Sequence, residues 1–153
     1  MSPLTCKIEP SAEGTRACLS GEITEDSDFA ALLQSGGAPL TVDLAEVSRI
    51  NSCGVREWIN FVQALGPRSL VLERCSVPVV AQLNMITNFA GKGRVQSVYA
   101  PFFCTPCDRQ HLELVKTTGL TPGSALQSMK CPSCGAEMEL DDLPETYWAF
   151  LAG

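Results

Sequence analysis

The chain has 153 residues, 45% of them hydrophobic, and its 17 acidic and 11 basic side chains give a net charge of −6. This length allows one domain with additions or two small domains, and the negative balance argues against nucleic acid and anionic membranes as partners. The chain starts without a basic and apolar leader and never reaches ~18 consecutive apolar residues, so we expect a cytoplasmic protein without a membrane span.

Strands and helices alternate through the first hundred residues. Apolar periodicity and turn residues place strands at 4–9, 16–23, 40–44, 69–74 and 94–99, and helices beginning at 26 or 27, 52 and 76. The first two strands form a hairpin, Asp26 or Ser27 caps the first helix, and residues 45–49 form a loop. The order β-β-α-β-α-β-α-β predicts an α/β fold in which helices cover a mixed sheet.

Small residues occupy the start of the second predicted helix, at Asn51-Ser52-Cys53-Gly54. Asn51 and Ser52 can cap the helix, because short polar side chains bond its first N–H groups. Gly54 lets the backbone pass close to a neighbouring group. Taken alone, these residues indicate a capped helix and no particular function.

Residues 40–65, LTVDLAEVSRINSCGVREWINFVQAL, resemble the signature of the STAS domain family of sulphate transporters and anti-sigma-factor antagonists. Members have an apolar strand ending in Asp-Leu/Phe-Ser, then a loop and Ile-Asp-Ser-Ser-Gly-Leu at a helix start. The matching residues are Asp43-Leu44-Ala45 and Ile50-Asn51-Ser52-Cys53-Gly54-Val55. The resemblance extends loosely over residues 4–98 and implies a STAS-like domain at 1–98.

The resemblance implies partner switching, in which a serine kinase of the anti-sigma type binds the domain, phosphorylates it and then releases it. Carried over, the phosphoacceptor is Ser52. The implied partner-binding residues are Asn51, Ser52, Cys53, Gly54 and Arg56. Asn51 stands where the family has Asp, and Cys53 replaces its second Ser. A non-phosphorylated scaffold subunit of a larger bacterial assembly is therefore the alternative function.

The residue types argue against catalysis. The chain has one His, and it lacks a phosphate-binding glycine loop and a convergent pair of carboxylates. We therefore expect a non-enzymatic protein. Cys53 lies near a helix start, where a thiol can become a redox sensor, but no second cysteine lies within a few residues, so we favour a small packing residue.

Two CxxC pairs in the second half predict a metal site. The pairs are Cys104-Thr-Pro-Cys107 and Cys131-Pro-Ser-Cys134, with 23 residues between them. Each two-residue spacing allows one turn to aim both thiolates at a tetrahedral ion, and Gly135 follows where a positive φ is expected. This spacing is typical of a zinc ribbon with one structural Zn²⁺. A rubredoxin-like iron site and a redox switch that releases zinc remain less favoured alternatives.

The second predicted domain, residues 99–153, therefore consists of a small β-rich ribbon and a short C-terminal helix. His111 alternates with Leu112 and Leu114 and is expected in a strand rather than among the metal ligands. Residues 101–153 contain seven acidic and three basic groups, so a protein partner is favoured over nucleic acid. The aromatic residues near the C-terminus predict a helix that packs within the molecule.

Overall fold

The computed structural model describes residues 3–11, 14–35 and 39–152. Within these ranges it contains nine strands, four α-helices and two short 3-10 helices. In chain order they are β1 (Thr5–Ser11), β2 (Gly14–Ile23), α1 (Ala30–Gln34), β3 (Leu40–Ile50), α2 (Ser52–Ala64), β4 (Leu70–Glu73), α3 (Val77–Met85), β5 (Arg94–Val95), β6 (Ser97–Cys104), β7 (Arg109–Lys116), a 3-10 helix (Pro122–Ser124), β8 (Ser128–Lys130), β9 (Glu137–Leu140), α4 (Pro144–Tyr147) and a 3-10 helix (Ala149–Ala152).

The strands form two sheets. The first sheet has the order β1-β2-β3-β4-β5, in which β1 and β2 are antiparallel and the later neighbours are parallel. The second sheet has the order β7-β6-β9-β8 and is antiparallel throughout. The predicted mixed α/β fold is confirmed at this level, and its STAS-like arrangement stays a prediction. None of the described helices is long and apolar enough to cross a membrane.

Three local predictions are wrong. The segment 45–49 is not a loop, because β2 continues beside it and β3 pairs with β2 as far as Ile50. The first helix begins at Ala30 and not at 26 or 27, because Thr24 and Ser27 form a turn: Ser27 N–H donates to the Thr24 carbonyl. The strand predicted at 94–99 is divided at Gln96 into β5 and β6.

Gln96 is the point at which the chain passes from one sheet to the other. Its N–H donates to the Leu72 carbonyl of β4, while its carbonyl accepts from Thr117, just after β7. An isolated parallel bridge also pairs Cys75 with Val98. The predicted boundary between residues 98 and 99 thus lies inside β6, and the division into two domains stays a prediction.

A single hydrophobic core runs through both sheets. In the first sheet its largest feature is a ring cluster of Phe29, Trp58, Phe61 and Phe89, in which Trp58 is stacked on Phe89 at 5.6 Å between ring centroids. Trp58 also donates its indole N–H to the Phe89 carbonyl over 2.8 Å. These contacts fix α2 against the segment that follows α3.

The C-terminal segment packs on the rest of the molecule as its aromatic residues predict. Tyr147 and Trp148 are buried, and the Tyr147 hydroxyl donates to the Tyr99 carbonyl of β6. Asn84 of α3 donates to the Tyr147 carbonyl and accepts from Phe150 N–H. The segment therefore joins α3 to the second sheet.

Candidate functional site

Four cysteines meet at one end of the second sheet. Cys104 ends β6 and Cys107 lies in the turn to β7, while Cys131 and Cys134 lie in the turn between β8 and β9. Their four sulfur atoms lie within 4.8 Å of one another. Pairing of β6 with β9 brings the two turns together. The four predicted ligands therefore form a group that could hold a metal ion.

The two cysteine turns have the same backbone signature. The residue after each second cysteine has a positive φ, +52° at Asp108 and +77° at Gly135. The sequence predicts this conformation for Gly135. It gives less sign of it at Asp108, although Asp is among the residues that tolerate the left-handed region. Gly135 N–H donates to the Cys131 carbonyl, and Ser133 N–H donates to the Cys131 sulfur over 3.4 Å.

Backbone N–H groups favour the thiolate of Cys131. Desolvation opposes its ionisation, but N–H donation from Cys134 and Ser133 lowers the pKa of Cys131 to about 6. Side-chain hydrogen bonds to Cys134 and Cys104 raise the pKa of Cys107 to about 12. One thiolate is thus stabilised before any cation binds, and a bound cation would displace the remaining protons. A tetrahedral ion with four sulfur ligands leaves no position for a reacting water.

His111 lies beside the cysteines without being needed to complete the ligand set. It belongs to β7, as predicted, and its Nε2 is 3.7 Å from the Cys131 sulfur. The contact between His111 and Cys131 arises because β7 and the turn after β8 lie next to each other in the fold. The spacing of the cysteines in the sequence therefore does not predict it.

The predicted phosphoacceptor lies at the first residue of α2. The preceding residue, Asn51, caps the helix: its Oδ1 accepts from Gly54 N–H over 2.7 Å, and its Nδ2 donates to Glu25 over 3.0 Å. A backbone hydrogen bond, followed by this side-chain bond, lowers the pKa of the Glu25 carboxyl. The side chains of Ser52 and Cys53 are exposed.

Gly54 sets the distance between α2 and the first sheet. A Cβ at this position would lie 2.1 Å from the Ile23 carbonyl oxygen at the end of β2, so a larger residue requires a backbone shift. Gly54 is buried, so it affects the surface only through the position of α2. Of the predicted partner-binding residues, Ser52, Cys53 and Arg56 are exposed and Asn51 is half-buried. One helical turn brings them together.

A charged network that the sequence analysis did not identify crosses between the sheets. Buried Asp43 accepts from Arg16 over 2.8 Å and from Arg74 over 3.0 Å. Arg16 also pairs with Glu73, and Arg74 donates to the Tyr99 hydroxyl of β6. The only sign in the sequence was an acidic residue within an apolar strand, because its partners lie in β2 and just after β4.

No model of a known protein family matches the chain, and no curated protein matches its sequence.

Proposed function

We propose that the protein is a non-enzymatic cytoplasmic adaptor resembling an anti-sigma-factor antagonist. It binds a serine kinase of the anti-sigma type through the surface around Ser52, and phosphorylation of Ser52 ends that interaction. The observation that supports this proposal best is the exposure of Ser52, at the first residue of a capped, thirteen-residue helix and beside exposed Cys53 and Arg56. A partner can approach the hydroxyl there.

Glu25 provides a physical reason for the switch. A phosphoserine adds about −1.5 to −2 charges at neutral pH, next to a capping residue that already binds this carboxylate. The positive end of the helix favours the phosphate itself, whereas repulsion from Glu25 weakens the contact between Asn51 and the loop before α1. Phosphorylation would therefore change the docking surface more than the fold.

The cysteine group takes a structural role in this proposal. One Zn²⁺ bound by Cys104, Cys107, Cys131 and Cys134 joins the β6–β7 turn to the β8–β9 turn. Four cysteine thiolates are one of the ligand sets that hold zinc in a closed structural site. Purified protein should be colourless and contain one zinc per chain by elemental analysis, and a red protein containing iron would contradict this assignment.

Phosphorylation is tested by intact-mass measurement. The full chain and its Ser52→Ala variant are incubated with ATP and the anti-sigma-type serine kinases of the same bacterium. We expect one phosphate on the wild type and none on the variant, because the acceptor hydroxyl is absent. A wild type that stays unmodified by every such kinase would exclude the switch.

A binding assay separates the adaptor from the scaffold alternative. Ser52→Glu should weaken kinase capture by at least about tenfold if a charge ends the interaction. The matched control is Ser69→Glu, which changes an exposed serine just before β4 and should bind like the wild type. A scaffold that never undergoes phosphorylation should retain its partners after either substitution.

A further inference from the structure

The edge strands of the two sheets differ in how they are protected against pairing with another chain. Short edges and proline are common protective devices. β5 has two residues and β8 has three, and β1 contains Pro10. The fourth edge, β7, has eight residues and no proline. In the described part of the chain, β7 is therefore the long edge that lacks both devices.

The free side of β7 can be identified from the hydrogen bonds of its neighbour. Thr117 N–H donates to the Gln96 carbonyl, whereas the Pro101 carbonyl of β6 accepts from Asp141 on the opposite side. Backbone direction alternates along a strand, so even-numbered residues of β6 face β7. In the observed register they pair with odd-numbered residues of β7. The N–H and C=O groups of Gln110, Leu112 and Leu114 consequently point away from the sheet.

Two of the residues with outward backbone groups are exposed leucines. Leu112 is 54% exposed and Leu114 is 45% exposed. Both lie on one face of β7, because side chains two residues apart share a face. The strand also carries Arg109 and Lys116 against one acidic residue, Glu113. This edge is thus apolar and less negative than the chain as a whole.

We propose that β7 pairs antiparallel with β7 of a second copy of this chain, about a two-fold axis at Leu112. The two four-stranded sheets then form one continuous eight-stranded sheet. Leu112 lies opposite the partner's Leu112, and Gln110 lies opposite the partner's Leu114. These pairs join the outward backbone groups, and two exposed leucines of each chain lose part of their contact with water.

Charge disfavours one of the two neighbouring registers. A two-fold axis perpendicular to the sheet keeps odd residues opposite odd residues, so the closest alternatives are centred on His111 and on Glu113, and charge acts against the one centred on Glu113. That alternative places two Glu113 carboxylates directly opposite each other, which is destabilising. With the axis at Leu112, Glu113 instead faces the partner's His111, an imidazole that can donate a hydrogen bond.

Sedimentation velocity on the full, metal-loaded chain tests the proposal. We expect a concentration-dependent dimer in the wild type. Leu112→Lys should weaken it by at least about tenfold, because two like charges then face each other across the axis. The control Leu143→Lys, at a leucine that is 61% exposed and precedes α4, should dimerise like the wild type. Circular dichroism and metal content confirm that each variant is folded.

Two further measurements test the geometry. Glu113→Gln should weaken the dimer by a few-fold, and a stronger dimer would instead indicate the register centred on Glu113. Amide hydrogen exchange at residues 110, 112 and 114 should slow as protein concentration rises. A wild type that remains monomeric up to near-millimolar concentration, or a dimer that Leu112→Lys leaves intact, would overturn the proposal.

Discussion

The two sheets are held together by different means. Side chains from its own helices pack against the first sheet. In the ring cluster around Trp58, the indole N–H also makes a hydrogen bond to the Phe89 carbonyl. The second sheet has short strands at β8 and β9, and four cysteines gather where its turns meet. Apolar burial thus accounts for most of the order in the first sheet. The second sheet also has contact with α3 through the C-terminal segment and a cysteine group that, in the proposed function, holds a metal ion.

Removal of the metal should have the largest effect and should affect the two sheets differently. Structural zinc sites contribute on the order of 10 kcal/mol of binding free energy at neutral pH. We expect a chelator to unfold the second sheet while the first retains its core. The chain has two tryptophans, and both are buried, Trp58 with α2 and Trp148 with the C-terminal segment.

Single-tryptophan variants make that measurement specific. In Trp58→Phe, the fluorescence of Trp148 reports the second region, and in Trp148→Phe, that of Trp58 reports the first. Chelation should shift the emission of Trp148 toward that of exposed indole and leave that of Trp58 nearly unchanged. Equal shifts in both variants would show that the two regions unfold together.

A cavity in the ring cluster should have the next largest effect. Trp58→Ala removes the stacked contact with Phe89, the tilted contact with Phe61 and one buried hydrogen bond. We expect the free energy of unfolding to fall by about 4 kcal/mol, measured by urea denaturation followed by circular dichroism. Met85→Ala, at a side chain that is 70% exposed, should change it by less than about 0.5 kcal/mol. A small effect of Trp58→Ala would contradict the proposed role of apolar burial in the first sheet.

The free energy of unfolding should depend on pH through Cys75, a buried residue at the point where the two sheets meet. Desolvation, followed by the charge of Asp43, raises the pKa of the Cys75 thiol from 9.0 to about 12. The folded state thus favours the neutral thiol. The neutral thiol contributes fully to the free energy of unfolding below pH 9.0. This contribution is lost as pH rises toward about 12, because the unfolded chain binds fewer protons than the folded chain in that interval.

Urea unfolding at several alkaline pH values measures this term. Between the two pKa values the wild type should lose up to about 1.4 kcal/mol per pH unit more than Cys75→Ala. The two proteins should differ by a constant amount near neutral pH, where only the cavity distinguishes them. Parallel curves throughout the alkaline range would show that the thiol is not held neutral by burial.

Periodicity was sufficient to predict the alternation of elements and the helix that begins at Ser52. It failed at residues 45–49, where Val47 is buried but Glu46, Ser48 and Arg49 are exposed. That segment is a strand because β2 pairs with it, and pairing across parallel strands leaves little trace in a short polar sequence.

The candidate sites show the same limit. The CxxC spacings predicted the cysteine group, because each pair is a local turn, and Asn51 was recognisable as a cap. The contact between His111 and Cys131 and the pairing of Asp43 with two arginines join residues at least twenty positions apart. Such contacts depend on strand placement, which local patterns do not specify.

The crossing at Gln96 means that the two halves share one structural element. A chain shortened to its first 98 residues would lose Tyr99, and with it the hydroxyl that holds the Arg74 guanidinium next to buried Asp43. It would also uncover α3, on which the C-terminal segment packs. Binding studies of the Ser52 surface consequently require the intact polypeptide, because residues of the second half contact Arg74 and α3 of the first half.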